Sequence, residues 1–483
     1  MLRFLLRRAA RPAAVLATCG AAVVAGAPAG SVTLTAGSLP APVPAISDYQ
    51  LLAAGVTPPA ESACLAAGRR CFTASAMENS YNLPSLYTAG DKGQGVTIAI
   101  IDSFGNPNMA SDLANFDTQM GLPHMCGEPG QPCDAGVPAF QHLYWNGKTE
   151  VKSPPPGSHS PGSQDRTSWT LETSLDVEWA HAMAPLANII DITTNPAETQ
   201  GVQGLPAMMD AEQFVVDNHQ ATVISQSFGA VEEGFNSTQS MLNLRHAFVS
   251  AAASGVTVLA SSGDGGSANT VKTPVKNPST VPYPTVNWPA ADPLVTAVGG
   301  TYLCTNPVTG IGVDSTDPPA ACQANQGVRE VGWIDSGGGF SHVFARPAYQ
   351  DTLPAGSTTI GAMRGVPDVA FQASSRTGPL VYDTAPGAGG WFIVGGTSCS
   401  APEFAGLVAI AGQIAGHGLG QINPTLYRLA ASPAHASYFY DVTTGNNQAD
   451  PSIPGYPATV GWDPVTGLGT PNAATLVPAL AAG

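Results

Sequence analysis

Short runs of consecutive apolar, β-branched residues recur along the chain and alternate with longer stretches of helical periodicity. The first run, VTIAII at residues 96–101, is apolar at successive positions, which is typical of a strand covered on both faces. Similar runs lie at residues 187–192, 221–225, 256–260 and 294–298, and helical patterns separate them at residues 169–184, 207–218 and 239–254. This alternation predicts an α/β fold with a mostly parallel central sheet and helices on both faces. Ligand sites in such sheets lie at the carboxyl ends of the strands.

The remaining pattern divides the chain into three segments. Residues 1–29 combine a cationic stretch, an Ala/Val-rich stretch and small residues, which predicts a secretory signal peptide cleaved near Ala27 or Ala29. Cys19 allows a lipoprotein reading, but Thr18 before it makes lipidation the less favoured alternative. Residues 30–78 are expected to form a largely irregular leader, because they begin with a stretch rich in Pro, Ala, Gly and Ser. Residues 79–483 are expected to form one large domain with exposed loops at 142–165, 305–328 and 446–457.

Composition narrows the classes of function. The net charge is −16, with 18 Lys plus Arg against 34 Asp plus Glu, so no basic surface is available to neutralise nucleic-acid phosphates. Repulsion between the carboxylates of an acidic surface decreases as they protonate, so the folded protein can remain stable and active at low pH. No stretch after the signal has the roughly 20 apolar residues of a membrane span. We therefore expect a secreted, soluble protein, and we expect a monomer.

The eight cysteines also favour an oxidising compartment. The short spacings predict three local disulfides, Cys64 with Cys71, Cys126 with Cys133 and Cys304 with Cys322. Metal binding is the alternative for such pairs, but neither a CxxC spacing nor clustered histidines support it. Cys399 is left over and is expected to be a small buried hydrophobe rather than a reactive thiol.

The sequence GGTSCSAP at residues 395–402 lies between a strand-like and a helix-like run, which places Ser398 at a helix N-terminus. Backbone amides and the helix dipole would there favour an oxyanion formed when the hydroxyl attacks a carbonyl. A serine that only caps the helix fits this motif equally well.

Carboxylates at two other places suit the chemistry of an activated serine. Glu172 and Asp176 lie one turn apart on one helix face, and as a buried, coupled pair they can accept a serine proton in acid; alone, the spacing favours a solvated acidic face. Asp264 in SSGDGG directly follows a strand, where a protonated carboxyl can donate to an oxyanion; alone, this motif favours a turn. Asp441 and Asp463 lie in turns and supply hard oxygen ligands for calcium, a common pattern that is weak by itself.

Together these motifs resemble the sedolisins, the serine-carboxyl peptidases, which share the subtilisin fold but replace its His/Asp pair with Glu/Asp. The resemblance covers most of residues 81–480 and includes the further stretches 336–350 and 364–370. It implies that Ser398 is the nucleophile, Glu172 the base, Asp176 its partner and Asp264 the oxyanion donor. It also implies one structural calcium ion held by Asp441, Val442, Thr459, Gly461 and Asp463, with Thr459 standing where glycine is usual. Sedolisins usually carry a long folded activation domain, whereas only about 50 residues separate the predicted signal from the domain here.

A secreted, acid-active endopeptidase that hydrolyses unfolded proteins through an acyl-enzyme is therefore predicted. Substrate is expected to pair with strand edges at Ser225, Gln226 and Ser227 and at Gly337 and Gly338. A subtilisin is the nearest competitor because Asp102 lies in a similar motif, but none of the nine histidines stands in an HGTH-like motif. His181 is expected to be structural and Asp102 to be a supporting carboxylate. The alternative from a different class is an inactive secreted binding protein on the same scaffold.

Overall fold

The computed structural model describes residues 43–44, 46–146, 148–151, 163–194, 204–271, 279–316, 318–385 and 389–483. The predicted signal peptide and Cys19 lie outside the described residues.

The helices and strands follow one another along the whole of the described chain. The strands are β1 (Val43–Pro44), β2 (Asp48–Ala54), β3 (Thr97–Ser103), β4 (Phe140–Trp145), β5 (Glu150–Val151), β6 (Asn188–Thr194), β7 (Val223–Gln226), β8 (Phe228–Val231), β9 (Thr257–Ser261), β10 (Thr270–Val271), β11 (Ser279–Thr280), β12 (Asn287–Trp288), β13 (Thr296–Leu303), β14 (Glu330–Gly332), β15 (Gly339–Ala345), β16 (Met363–Val366), β17 (Val369–Gln372), β18 (Leu380–Asp383), β19 (Gly390–Gly395), β20 (Phe439–Tyr440) and β21 (Thr470–Pro471). The helices are α1 (Glu61–Ala66), α2 (Ala74–Ser80), α3 (Pro84–Ala89), α4 (Met109–Met120), α5 (Ser163–Met183), α6 (Gly204–Asp217), α7 (Thr238–Leu242), α8 (His246–Ala253), α9 (Ala320–Ala324), α10 (Thr397–Ala415), α11 (Asn423–Ala430), α12 (His435–Tyr438) and α13 (Ala473–Ala481).

The central sheet confirms the predicted fold class. Its strand order is β14-β13-β9-β7-β3-β6-β4-β5, with β17 also pairing with β13. The pairs from β13 to β4 are parallel, as is the β13–β17 pair, and only β14 and β5 run antiparallel to their neighbours. All five predicted apolar runs are strands of this sheet.

Two hydrophobic cores lie against the two faces of the sheet, because successive strand residues point to opposite sides. Ile98 and Ile100 of β3 pack into the core that contains α5 and α10. Ala99 and Ile101 pack into the core that contains α6 and α8. The helices therefore cover both faces, as the sequence predicts.

Three local predictions are wrong. The helix predicted over residues 239–254 is interrupted by a turn at residues 243–245, between α7 and α8. Arg245 at the end of this turn forms an ion pair with Asp292. The loop predicted from residue 142 begins inside β4, because this stretch pairs with β6. The irregular leader is wrong for residues 48–54, which form β2 by antiparallel pairing with β19.

Three disulfides form as predicted, Cys64–Cys71, Cys126–Cys133 and Cys304–Cys322, and Cys399 is free and buried. Within the described ranges, every helix falls short of the length and apolar character that a transmembrane span requires.

Candidate active site

Ser398 lies at the junction of β19 and α10. Gly396 has φ 152°, a conformation that side chains disfavour, and a Cβ on Gly395 would lie 2.2 Å from the Ser375 nitrogen. These glycines let the chain turn sharply from the strand into the helix. Ser398 is in the first turn of α10, where backbone amides have no partner within the helix.

The Ser398 hydroxyl faces a carboxylate as well as a backbone carbonyl. It donates to the Ser227 carbonyl oxygen at 3.3 Å. It also lies close enough to the Glu172 carboxyl to lower the pKa of Glu172, although neither Glu172 oxygen receives a well-formed hydrogen bond. α5 and α10 approach closely because Gly406 packs against Met183, where a Cβ would lie 2.5 Å from the Met183 Cβ. The predicted nucleophile and base are thus side by side.

Glu172 and Asp176 are both fully buried, so the solvated acidic face is wrong. Burial raises the pKa of Glu172 well above its usual range, and the charges of Asp176 and Asp102 raise it further. Burial and Asp102 do the same for Asp176, although the Ser227 hydroxyl donates to its Oδ1 at 3.0 Å and opposes the shift. Two acids that interact in this way titrate as a coupled pair.

Asp102 belongs to the same group of carboxylates, as expected of a supporting residue. It lies near the carboxyl end of β3, and burial raises its pKa to about 7, which the nearby Thr173 hydroxyl only partly offsets. Asp191 of β6 is also buried, and burial together with Asp102 raises its pKa. Negative charge is therefore disfavoured throughout this region, which holds protons at higher pH than exposed carboxylates do.

Asp264 reaches the first turn of α10 from the loop after β9. Its Oδ1 accepts the Thr397 backbone N–H at 2.8 Å and the Thr397 hydroxyl at 2.9 Å. Burial raises its pKa to about 7, although both Thr397 hydrogen bonds oppose the shift. Two hydrogen bonds from Thr397 therefore fix the Asp264 carboxyl beside the nucleophile, so its role is more than that of a turn residue. Thr397 itself was missed by the sequence analysis, and its place next to Ser398 was the available signal.

Gly337 and Gly338 lie against the loop that carries Asp264. The Gly337 N–H donates to the Gly263 carbonyl oxygen at 2.7 Å. A Cβ on Gly337 would lie 2.2 Å from the Ser262 oxygen, and one on Gly338 would lie 1.8 Å from the Pro464 oxygen. These two glycines are required for close packing that positions the Asp264 loop.

The strand edge expected at Ser225 and Gln226 is not available. Both residues lie in β7, which pairs with β3 on one side and with β9 on the other. Ser227 follows β7 and directs its carbonyl to Ser398 and its hydroxyl to Asp176. The residues beyond it, β8, carry the accessible pairing positions of this segment.

The chain's own N-terminal segment occupies this part of the site. β1 pairs with β8 at Phe228 and Gly229, and the Ser47 N–H donates to the Gly395 oxygen at 3.0 Å. The Ser47 hydroxyl hydrogen-bonds to the Asp264 carboxyl. β2 then continues antiparallel along β19. We call residues 43–44 and 46–54 the N-terminal strap; its first part pairs with β8 and its second part with β19, the strand that precedes Ser398.

The predicted calcium ligands converge on one loop. The Gly461 N–H donates to both oxygens of Asp441, at 3.2 and 3.0 Å, and the Thr459 N–H donates to Oδ2 of Asp463 at 2.9 Å. Burial raises the pKa of Asp463 to about 7 even though backbone amides of Thr459, Thr466 and Val465 donate to it. Both carboxyl groups already accept backbone N–H groups, so the fit to calcium rests on donor type: two carboxyl groups and the carbonyl oxygens of the same turns are the hard oxygen ligands that calcium prefers.

His181 and Cys399 do not reach the nucleophile through described hydrogen bonds. His181 is buried, with Nε2 3.0 Å from the Pro123 oxygen and 3.3 Å from Asp117 Oδ2. The Cys399 sulfur lies 3.9 Å from the Val394 oxygen, and burial raises the pKa of the thiol. Both fit the structural roles expected of them.

Comparison with known proteins places this geometry in context. A model of the subtilase family matches residues 167–423, which include Glu172, Asp264 and Ser398. Kumamolisin of a Bacillus species is 32% identical over 87% of this chain and 65% of its own length. Sedolisin of a Pseudomonas species is 29% identical over 82% of this chain and 60% of its own length, and human tripeptidyl-peptidase 1 is 30% identical over 66% and 53%. The chain thus spans between about half and two thirds of these relatives.

A solved structure of Pseudomonas sedolisin, a serine-carboxyl proteinase complexed with two molecules of pseudo-iodotyrostatin, has the same fold. It superposes with a TM-score of 0.65 at 26% identity and covers 85% of this chain and 97% of that chain.

Proposed function

Because this chain belongs to the sedolisin family of serine-carboxyl peptidases, within the subtilases, we propose that it is an acid-active endopeptidase that uses Ser398, Glu172, Asp176 and Asp264. The observation that carries the proposal is the contact of the Ser398 hydroxyl with Glu172 at the start of α10, beside the held carboxyl of Asp264.

The reaction begins with proton transfer and attack. Glu172 accepts the Ser398 hydroxyl proton while Oγ forms a bond to the substrate carbonyl carbon, and the carbonyl electron pair moves to oxygen. Asp176 shares the buried charge of Glu172, and Ser227 orients Asp176 through their 3.0 Å hydrogen bond. Protonated Asp264 and the Ser398 amide donate to the resulting oxyanion.

Collapse of the tetrahedral intermediate breaks the carbon–nitrogen bond. Glu172 returns its proton to the leaving amine, and an acyl-Ser398 ester remains. Water then attacks the ester, with Glu172 accepting its proton and passing it to the Ser398 oxygen. The enzyme returns to its starting protonation state, and one peptide bond has been hydrolysed.

Acid activity follows from the two carboxyl roles. Asp264 donates only while protonated, so the rate falls as pH rises through its pKa of about 7. Glu172 accepts only when the coupled Glu172–Asp176 pair has lost a proton, so the rate also falls at low pH. A bell-shaped profile with its maximum in acid is expected.

The substrates are proposed to be extended segments of unfolded polypeptides. The pairing of β1 with β8 supports this, because β1 is an extended segment held there by backbone pairing. Ser227, Gly337 and Gly338 are proposed to shape this cleft, whereas Ser225 and Gln226 are not proposed as backbone partners of substrate.

The deciding experiment is hydrolysis of a reduced, alkylated protein by the wild type and by Ser398→Ala across pH 3 to 8. Loss of hydrolysis in the variant, with a maximum in acid for the wild type, supports the proposal. Equal rates would leave the inactive binding scaffold as the function. Mass spectra of early products separate the modes, since internal fragments indicate an endopeptidase and N-terminal tripeptides alone indicate a tripeptidyl-peptidase.

One calcium ion is proposed to bind at Asp441 and Asp463, with the carbonyl oxygens of Val442, Thr459 and Gly461 as further ligands. Calcium there neutralises buried carboxylates and fixes the 459–463 loop, whose neighbour Pro464 packs against Gly338. Secretion as a monomer, with cleavage of residues 1–29 and without nucleic-acid or membrane partners, completes the proposal.

A further inference from the structure

A second group of ionisable side chains lies on the loop that follows α4. This loop, residues 121–139, contains the Cys126–Cys133 disulfide and folds back on the C-terminal end of α4. It brings His124 and Glu128 to Asp117 of α4. One ligand atom of each of these three residues lies within 4.8 Å of the others.

Asp117 is the most constrained member of this group. Its side chain is fully buried, and neither carboxylate oxygen receives a well-formed hydrogen bond. The nearest nitrogen, His181 Nε2, is 3.3 Å from Oδ2 and lies closer to the Pro123 carbonyl oxygen, at 3.0 Å. A buried carboxylate without well-formed donors is stabilised by a positive partner, which the His181 imidazole or a bound cation can supply.

Glu128 adds a second buried carboxylate that faces the first. Its side chain is almost fully buried, and one of its oxygens lies within 4.8 Å of a carboxylate oxygen of Asp117. Its Oε1 accepts the Met125 N–H at 2.5 Å, which fixes the orientation of the carboxyl. Its Oε2 lies 2.5 Å from Nδ1 of His124, whose side chain is 33% exposed.

We propose that Asp117, His124 and Glu128 form a binding site for a first-row divalent cation. Their donor atoms favour zinc as the bound ion. One imidazole nitrogen and two carboxylate oxygens are a usual zinc donor set, and the exposed side of His124 leaves room for a water as fourth ligand. The cation would give one oxygen of Asp117 a positive partner and would reduce the repulsion between the two carboxylates. The site is separate from the proposed calcium site, whose donors are all oxygens.

His181 supports this site from α5. Its position beside Asp117 and Pro123 orients the Asp117 carboxylate toward the loop, as outer partners of metal ligands commonly do. Because α5 also carries Glu172, a bound cation would join the 121–139 loop to the helix that holds the proposed base.

The competing explanation is an ion pair between protonated His124 and Glu128, without a metal. The chain offers a matched control for this explanation. His342 Nδ1 and Glu233 Oε1 also lie 2.5 Å apart at a partly exposed position. The buried carboxylate beside them, Glu232, already accepts the Ser341 hydroxyl and the His342 N–H, and among the described residues these side chains do not form a three-ligand cluster.

The experiment titrates the chelator-treated, purified protein with Co²⁺ at pH 7, in excess calcium to fill the hard-oxygen site. The protein is expected to bind one equivalent with tetrahedral visible absorption bands, and Zn²⁺ should displace the cobalt. His124→Ala and Asp117→Asn should weaken binding more than about tenfold, since even the loss of an outer partner costs 10–100-fold in affinity. His342→Ala should bind as the wild type does.

Thermal melting of each variant without metal checks that it folds. If Asp117→Asn does not fold, the exposed His124→Ala variant decides the question. The proposal is overturned, in favour of the metal-free ion pair, if the wild type binds cobalt no more tightly than His124→Ala does. It is also overturned if His342→Ala loses as much cobalt affinity as His124→Ala does. Octahedral cobalt spectra that are insensitive to His124→Ala would also overturn it.

Discussion

Asp264→Asn separates the proposed oxyanion role of this residue from its role in packing. Oδ1 of Asp264 already accepts two hydrogen bonds from Thr397, so the carboxyl proton belongs on Oδ2. In the variant, the amide oxygen can accept both Thr397 hydrogen bonds, and the amide NH₂ then takes the position of the protonated oxygen. The substitution therefore keeps a donor but removes its titration.

The magnitude follows from the shift in pKa. A rise from 3.8 to about 7 corresponds to about 4 kcal/mol in favour of the protonated form. Wild-type Asp264 is then almost fully protonated at pH 4, and only about one molecule in ten is protonated at pH 8. The basic limb of kcat/KM should fall about tenfold for each pH unit above 7, and this limb should move to higher pH in Asp264→Asn.

Asp264→Ala provides the matched comparison because it removes the donor and also the acceptor for Thr397. Loss of one oxyanion donor costs about 10²–10³ in kcat. The assay is kcat/KM for an internally quenched peptide from pH 3 to 9, with thermal melts to verify folding. Identical profiles for the Asn and Ala variants, or an unmoved basic limb in Asp264→Asn, would refute the oxyanion role.

Three further predictions concern stability, calcium and the strap. Burial raises the pKa of Glu212 above its unfolded value, so Glu212 makes the folded state less stable as pH rises. Glu212→Gln should therefore raise Tm at pH 7 and leave Tm at pH 4 nearly unchanged. An equal shift of Tm at both pH values would contradict this. Chelation of calcium at pH 6 should lower the Tm of the wild type by several degrees and that of Asp463→Asn by much less, whereas equal responses would count against the proposed ligands. Replacement of residues 43–47 by a Gly/Ser sequence of the same length should increase kcat/KM for a short peptide severalfold, because residues 43 and 44 pair with β8 and Ser47 lies beside Asp264. An unchanged or lower kcat/KM in a folded variant would show that the strap does not compete with substrate.

The parallel sheet could be predicted from the sequence because its strands are buried on both faces and therefore read as continuous apolar runs. Ser398 and Asp264 could be identified because each follows a buried, continuous apolar run, although the run before Ser398, β19, lies in a separate antiparallel sheet. The pairing partners of Glu172 could not be read from its own helix, since Asp102 and Ser398 reach it from strands and turns far away in the chain.

Elements ordered by distant parts of the chain were harder to predict. β2 is mostly exposed or half-buried and has no apolar periodicity, because its order comes from the edge of β19. The Asp117 group was missed because its members are ordinary surface-type residues in sequence, and only the disulfide-closed loop and α5 bring His124 and His181 to the same carboxylate.

The N-terminal strap also changes what a kinetic constant of this protein measures. A segment of the same polypeptide that binds in the cleft competes at an effective concentration in the millimolar range, without any dependence on protein concentration. A peptide that binds with micromolar intrinsic affinity must displace this tethered competitor, so its apparent KM includes the cost of releasing residues 43–47. Dilution cannot relieve such competition, whereas a single cut between the strap and the domain converts it into ordinary product inhibition that dilution removes.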